Sequence, residues 1–498
     1  MKISELFPAD IYGNITGAAS DSDISVLTAD SRRAGEGSVF VCIRGAAADG
    51  HEYAPAAYRR GCRVFVCEYR PDIPSDALVI TVPNARRAVA DLAERFYGYP
   101  ASQLKLIGIT GTKGKSTVAE FIYRILSDAG YSAAVIGTCG VRFGSFSGKT
   151  DNTTPDALAL AELFAQMRDS GVEYVVMEVS SQAFKLDRVY GLHFDYAVFT
   201  NLSPDHIGPT EHPDFEDYVS NKAKLFREAK HCVINAGSRY ASRMADSAGS
   251  ADISFYGIAE QCTGVSGTKQ LSEVRWLAES PRIYSAAGAH GMEFECCGDT
   301  YRVKMPGMFS VCNALAAIAV CRDIGILPDP ICRTLSEISV PGRFETIEAH
   351  GRTFVIDYAH NGVSLESSLS VLRSYTGGRL IVLFGSIGGR AQLRRREMAE
   401  VADRLADFCI VTSDNPDRED PDSIIDEICL YIKKRPFIRI SDRGEAIRYA
   451  VARAERGDVV LLAGKGHENY QLVNGKKLPF SERAVIEKAL EEAYQPVL

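Results

Sequence analysis

The sequence predicts an α/β protein of three domains built on parallel sheets, and three observations predict it. Short apolar runs rich in Val, Ile and Phe alternate with helical patterns almost throughout the 498 residues. That is the pattern of strands buried on both faces and covered by helices. Unusual polar segments fall immediately after these strands, where open parallel sheets bind their ligands. At about 150 residues per domain, the length allows three separate cores.

In chain order, strands are expected at 38–43, 63–67 and 78–82, followed by a helical stretch that ends near Tyr99-Pro100. This sets a first domain of 1–103. The second, 104–340, opens with a strand at 105–109 and continues through strands at 134–136, 174–177, 196–199 and 232–234. Between about 263 and 304 the pattern shortens and alternates with Gly and Pro breaks, as antiparallel hairpins do. A helix at 311–324 follows, and Pro341-Gly342-Arg343 reads as a linker. The third domain, 341–498, carries strands at 353–356, 380–384, 408–412 and 459–463. The second and third domains thus each present a rim of polar segments at strand ends, which implies a site between domains.

Composition excludes several classes. Lys plus Arg is 56 against 64 Asp plus Glu, a net charge of −8, and no basic run tracks a nucleic-acid backbone. No apolar stretch approaches the roughly 20 residues that span a bilayer, and the first ten residues lack the cationic start and apolar run of a signal peptide. A cytoplasmic protein with no nucleic-acid or membrane partner is expected. The 13 cysteines are scattered and free of paired metal spacing, so buried free thiols are expected rather than disulfides, with Cys296 and Cys297 as strand residues.

The segment from Ile107 to Thr117 joins a strand to a helix whose apolar face is Val118, Phe121, Ile122, Ile125 and Ala129. Glycines let backbone N–H groups close around phosphate oxygens, and the helix N-terminus adds partial positive charge. Lys115 reaches the terminal phosphates, and Ser116 can ligate Mg²⁺. The loop Gly111, Thr112, Lys113, Gly114, Lys115, Ser116, Thr117 is therefore expected to hold ATP. It is shorter than the standard loop, because Ile109 stands where that spacing has Gly.

This shortened loop, followed by Asp151-Asn-Thr-Thr-Pro-Asp156, Met177-Glu-Val-Ser-Ser181 and Asn201-Leu-Ser-Pro-Asp-His206, resembles the Mur ligases. Those enzymes form the amide bonds of the peptidoglycan stem peptide at the expense of ATP. The match continues in order with Pro341-Gly-Arg-Phe-Glu345, Asp357-Tyr-Ala-His360, Asp414-Asn-Pro416 and Gly464-Lys-Gly-His-Glu468, and Asp30-Ser-Arg32 extends it to nearly the whole chain. Within the family it is similar to the MurE type. The resemblance implies a central ATP-binding domain flanked by an N-terminal UDP-binding α/β domain and a C-terminal Rossmann-like domain. It implies that a diamino acid is added to UDP-N-acetylmuramoyl-L-alanyl-D-glutamate through an acyl phosphate, and a monomer is expected.

The resemblance also implies roles. Lys115, Glu178, His206 and Lys222 would be catalytic, with Ser116, Glu178, His206 and Lys222 at the Mg²⁺ sites. Lys222 lies four residues from both Tyr218 and Phe226 on an expected helix and matches the family lysine that CO₂ carbamylates, whereas Lys224 and Lys230 read as surface lysines. Ser31, Thr153, Thr154, Ser180 and Arg188 would contact the UDP-sugar peptide. Asn313, Arg343, Asp357 and His360 would contact ATP. Arg390, Asp414, Asn415, Asp417, Gly464 and Glu468 would hold the amino acid. Family members that take meso-diaminopimelate carry Arg after Asp-Asn-Pro, to pair with the distal carboxylate. Here that position is Asp417, which repels a carboxylate and suits a bare ammonium. Lysine is therefore expected, with ornithine another diamine to consider; Arg418 keeps meso-diaminopimelate open. The run Ile207-Gly-Pro-Thr-Glu-His-Pro213 also departs from the short Asp-Tyr-His run that usually stands there. The alternatives are a D-alanyl-D-alanine-adding ligase, a folylpolyglutamate synthase, or a nucleotide-binding scaffold without activity. The first two fit Asp30-Ser-Arg32 and the third-domain motifs poorly, and a scaffold would be free to lose Lys115, Glu178 or Lys222.

Overall fold

The computed structural model describes residues 1–8, 15–16, 21–45, 48–204, 207–208, 211–262, 274–286, 289–389 and 392–493. The chain forms two compact units, one of Met1–Ala278 with Cys312–Ile331 and the other of Glu279–Val311 with Cys332–Leu498.

The first unit holds two sheets. In the N-terminal one, Val26–Thr28, Ser38–Val41, Val64–Cys67 and Leu78–Thr81 lie side by side and parallel, and Ile15–Thr16 closes the edge antiparallel to Leu78–Thr81. Successive side chains alternate between two cores. Val39, Val41, Val64 and Val66 pack with the helix Ala85–Phe96, while Phe40, Cys42, Phe65 and Cys67 pack with Ala54 and Ala57 of the helix Ala54–Arg59. Burial on both faces is why these strands read as unbroken apolar runs.

The second sheet places Lys105–Thr110 between Tyr174–Glu178 and Phe194–Phe199, all parallel. Ala133–Gly137 extends it on one side, and Ala229–Asn235, Asp252–Ile258 and the start of Val274–Ala286 extend it on the other. The chain runs first to one side of Lys105–Thr110 and then to the other, which opens a crevice at the strand ends where ligands bind. Facing that crevice is the helix Phe215–Arg227, which Asp214 caps by accepting the Asp217 N–H at 2.8 Å; such a cap is worth about 1 kcal/mol. Tyr218, Lys222 and Phe226 share its buried face at helical spacing.

In the second unit, Arg352–Asp357, Val459–Ala463, Leu380–Phe384, Phe408–Val411 and Phe437–Arg439 form a parallel sheet, with Glu345–Ala349 antiparallel at the edge. The expected hairpins are present: the strands ending at Ala286, Ala289–Cys296 and Asp299–Val303 pair antiparallel. Cys296 ends a strand, but Cys297 lies in the following turn at φ +53°, which corrects its placement in a strand. All 13 cysteines are free thiols. Among the described residues, no helix is long and apolar enough to cross a membrane. The segment expected as a linker is packed instead. A Cβ on Gly342, at φ +65°, would meet the His467 nitrogen at 1.9 Å, so Arg343 belongs to the same unit as Asp357 and the Gly464–Glu468 loop.

Candidate functional site

The strand Lys105–Thr110 runs into a loop that two close contacts shape. Gly111 sits at φ +148°, where a Cβ would fall 2.0 Å from the Thr200 Oγ1; Gly114, at φ +86°, leaves room for the Asn313 amide, whose Oδ1 a Cβ would meet at 2.4 Å. Asn201 holds the loop from outside. Its carbonyl accepts the Thr112 N–H at 2.8 Å, its Oδ1 accepts the Lys113 N–H at 3.0 Å, and its Nδ2 donates to the Lys113 carbonyl at 3.0 Å. Gly114 starts the helix Lys115–Asp128, and Ser116 and Thr117 lie buried in its first turn. The loop thus aims helix N–H groups at its own mouth, the arrangement that binds phosphate.

Two lysines converge on one carbonyl. Lys115 Nζ donates to the Gly111 oxygen at 2.9 Å and to the Thr112 oxygen at 3.2 Å. Lys222 Nζ, from the helix Phe215–Arg227, donates to the same Gly111 oxygen at 2.9 Å and lies 4.7 Å from the Tyr218 ring centre. Two ammonium groups sharing an acceptor repel each other, so the pair suits an anionic ligand or the conversion of one lysine into an anion. Lys224 and Lys230 are exposed.

Glu178 ends the strand beside Lys105–Thr110, paired with Ile109. Its side chain is buried, and its two oxygens accept the Thr138 N–H at 2.8 Å and the Thr138 hydroxyl at 3.2 Å. Glu178 therefore ends the strand adjacent to the one whose following loop and helix carry Ser116. His206 lies outside the described residues, and among those described no three His, Cys, Asp or Glu side chains form a metal cluster. The neighbouring His212 is fully buried, its Nδ1 2.7 Å from the Asp217 Oδ2 and its Nε2 2.8 Å from the Ser181 Oγ. Burial holds its ring below the usual imidazole range, so it tethers its loop as a neutral group.

The residues expected at the UDP-sugar peptide form a connected set, apart from Ser31. The Thr154 hydroxyl donates to the Glu178 carbonyl at 2.9 Å and accepts the Ser180 N–H at 3.0 Å. Arg188 donates to the Thr154 carbonyl at 2.9 Å, and Thr153 lies 3.1 Å from the Thr138 hydroxyl. Beside them a cavity of about 360 Å³ is lined by Thr150, Asp151 and Asn152. Ser31 stands in the turn that follows the strand Val26–Thr28 of the N-terminal sheet, where its carbonyl accepts from Arg60 at 3.1 Å.

In the second unit, Asp357 accepts the Phe344 N–H and the Ser368 hydroxyl, each at 3.0 Å, and burial pushes its carboxyl up against the pull of Arg343. Arg343 stacks over the Tyr358 ring at 4.6 Å, and the His360 Nδ1 lies 2.8 Å from the Tyr358 carbonyl. Around the amino-acid motif, Gly464 at φ +117° leaves space for the Asp414 carboxylate, and the Asn415 Nδ2 donates to the Glu468 carboxylate at 2.9 Å. Asp417 spends one carboxylate oxygen on the Gly475 N–H at 2.8 Å and also lines a cavity of about 430 Å³ with Arg418, Glu419, Asp420 and Asp442. Arg390 lies outside the described residues.

Three residues that the sequence did not single out support these positions. Lys465 is fully buried among Asp414, Asn415 and Glu468. Arg443 donates to the carbonyls of Ser413 at 3.2 Å and Ala463 at 2.9 Å, just before Asp414 and Gly464. His212 is the third. A lysine between two glycines and an arginine opening a helix both read as solvated, and no local signal marks either as buried.

Family models match the chain in three successive segments: the Mur ligase family catalytic domain at 23–97, the Mur ligase middle domain at 109–321 and the Mur ligase glutamate ligase domain at 342–466. A protein of Caldanaerobacter subterraneus subsp. tengcongensis named UDP-N-acetylmuramoyl-L-alanyl-D-glutamate--2,6-diaminopimelate ligase is 40% identical over 476 residues, covering 95% of each chain. A solved structure of a ligase of that name superposes at TM-score 0.68 with 27% identity, covering all of both chains. The fold is also that of the MurF ligase from Thermotoga maritima in complex with ADP, at TM-score 0.59 and 20% identity, covering 94% of this chain and 97% of that one. With a glycine loop, two convergent lysines and a buried carboxylate at the ends of adjacent strands, and with homology along its whole length, this chain belongs to the Mur ligase family.

Proposed function

We propose that the protein is a MurE-type ligase that uses ATP and Mg²⁺ to join a diamino acid to UDP-N-acetylmuramoyl-L-alanyl-D-glutamate, with domain boundaries near residues 103 and 340. The observation that carries the reading is the meeting of Lys115 and Lys222 at the Gly111 carbonyl. A carboxylate is a poor electrophile, so the γ-carboxylate oxygen of the D-glutamyl residue first attacks the terminal phosphorus of ATP and ADP leaves. The α-amine of the diamino acid then attacks the acyl carbon, releasing phosphate and a proton and leaving an amide. Little covalent work falls to the enzyme beyond positioning and charge neutralisation. Lys115 would neutralise the terminal phosphates, while Thr154, Ser180 and Arg188 would orient the peptide. The Ser116 hydroxyl and Glu178 carboxylate are hard oxygen donors of the kind Mg²⁺ takes, and the bound ion would supply further positive charge at the phosphates.

For Lys222 we propose that its neutral amine adds to CO₂ and releases a proton, so that the Nζ becomes an anionic carbamate. Lys222→Ala is expected to lower turnover by about 10²- to 10³-fold, with partial recovery when acetate or another short-chain acid is supplied. Unchanged activity in the plain variant would remove Lys222 from the chemistry.

Lysine is proposed as the amino acid added. Asp417, Glu419, Asp420 and Asp442 outnumber the arginines Arg418 and Arg443 around the cavity, and a net acidic wall favours a side-chain ammonium over a second carboxylate. The names of the relatives favour a second reading, 2,6-diaminopimelate. ADP release with the UDP-dipeptide and lysine, ornithine or meso-diaminopimelate in turn decides it. Lysine is expected to give a kcat/KM at least about 10-fold above the others, and preference for meso-diaminopimelate would sink the acidic-wall argument.

A further inference from the structure

We infer that Lys465 is a positioning residue for amine capture, holding Asn415 and Glu468 in place and setting the charge of the pocket that receives the incoming amine. The inference rests on the ligase reading above and deepens it. Lys465 Nζ donates to the Asn415 Oδ1 at 2.7 Å and the Glu468 Oε2 at 3.0 Å, and lies 3.5 Å from the Asp414 Oδ1. The Asn415 Oδ1 also accepts the Leu472 N–H at 2.8 Å, which with Lys465 fixes the amide so that its Nδ2 meets the Glu468 Oε2 at 2.9 Å. A chain of hydrogen bonds thus runs from a buried ammonium through Asn415 to Glu468.

The charge count points the same way. Two carboxylates, Asp414 and Glu468, face one ammonium, Lys465, which leaves the cluster at −1. The Arg443–Glu482 pair packed against it is neutral as a unit, Arg343 over the Tyr358 ring is matched by the Asp357 carboxylate, and burial keeps His467 uncharged by lowering its ring to about 3. The Tyr358 and Tyr470 rings close the cluster, and burial pushes both phenols up, so they stay uncharged. The Asp414 Oδ1 is buried with no hydrogen-bond partner, and burial raises its carboxyl. A buried cluster short of one positive charge, with an unsatisfied carboxylate oxygen, suits one incoming ammonium. Lys465 keeps the deficit at one charge rather than two, and its ammonium pulls the buried Asp414 carboxyl back down.

The test uses the full-length enzyme and compares the wild type with Lys465→Gln and Lys465→Arg. Lys465→Gln is expected to raise KM for the diamino acid about 10- to 100-fold, while KM for ATP and for the UDP-dipeptide stays within about twofold. Removing a cation raises the pKa of neighbouring carboxylates, so the acid limb of kcat/KM for the diamino acid moves about one unit to higher pH. Lys465→Arg keeps the limb at its wild-type position. A limb that stays put in Lys465→Gln, or three KM values that rise together, would overturn the inference. If Lys465→Gln does not fold, the near-isosteric Asn415→Asp adds a negative charge at the same place; a limb that moves up supports the inference and an unmoved limb overturns it. A wild type that releases no ADP with the UDP-dipeptide and any diamino acid would defeat the ligase reading instead. The ¹³C-carboxyl titration of Glu468 in wild type and Lys465→Gln then tests the electrostatics without turnover, an upward shift supporting the inference and no shift overturning it.

Discussion

Gly111→Ala is expected to lower ligase turnover by about 10²-fold or more while the protein stays folded. The added Cβ would lie 2.0 Å from the Thr200 Oγ1 and 3.0 Å from the Asn201 carbonyl oxygen. Thr200 is held, because its hydroxyl donates to the Lys113 carbonyl at 2.6 Å and Asn201 grips the same residue. The strain is therefore relieved at the Gly111 peptide, whose carbonyl is the shared acceptor of Lys115 and Lys222. One methyl group displaces both ammonium groups. The strand ending at Thr110 is paired on both sides, so the fold should lose only the roughly 1–3 kcal/mol of a strained φ. Gly130→Ala is the control: it too has positive φ, at +88°, but open space around it, and near-normal turnover is expected. ADP release and thermal melting of the two variants separate the effects, and a Gly111→Ala enzyme with wild-type turnover would show that the lysine geometry is not what matters.

What was legible in the sequence follows from burial. Leu380–Phe384 and Val459–Ala463 are central strands with every residue buried, and their apolar runs match the expected bounds without error. Edge strands such as Glu345–Ala349 and Phe437–Arg439 have half-exposed, mixed residues and leave no such run. The phosphate loop was legible because its glycines, lysine and amphipathic helix are contiguous. The site in the second unit was legible only in part. Asp414, Asn415, Gly464 and Glu468 stood out as motif residues, but the burial of Lys465 depends on partners distant in the chain, Asn415 being 50 positions away. The acidic reading of Asp417 was incomplete for a similar reason, since one of its oxygens caps the turn at Gly475. Nothing local announces that contact.

Arg443→Leu is expected to destabilise the second unit by about 3–5 kcal/mol. The guanidinium is fully buried against Glu482, whose Oε1 accepts from Nε at 3.0 Å and from Nη2 at 2.7 Å. It also satisfies the Ser413 and Ala463 carbonyls, so its loss strands a carboxylate and two backbone acceptors. Burial already pushes the Glu482 carboxyl up, and Arg443 is the main group pulling it down. Without the arginine its folded pKa rises further above its unfolded value near 4.5. The folded state then binds more protons than the unfolded one at higher pH, and stability falls as pH rises from about 4.5 through the folded pKa. The deficit of the variant should therefore be larger at pH 7 than at pH 5. Arg443→Leu/Glu482→Leu should recover most of the loss, because an apolar pair of similar volume leaves no buried charge. The single tryptophan, Trp276, lies in the first unit, so its fluorescence does not report this event. Denaturant unfolding followed by hydrogen exchange in the helices Arg443–Arg453 and Glu482–Ala493 does, and a single variant as stable as the wild type at pH 7 would mean the ion pair does not hold the Asp414 and Gly464 loops together.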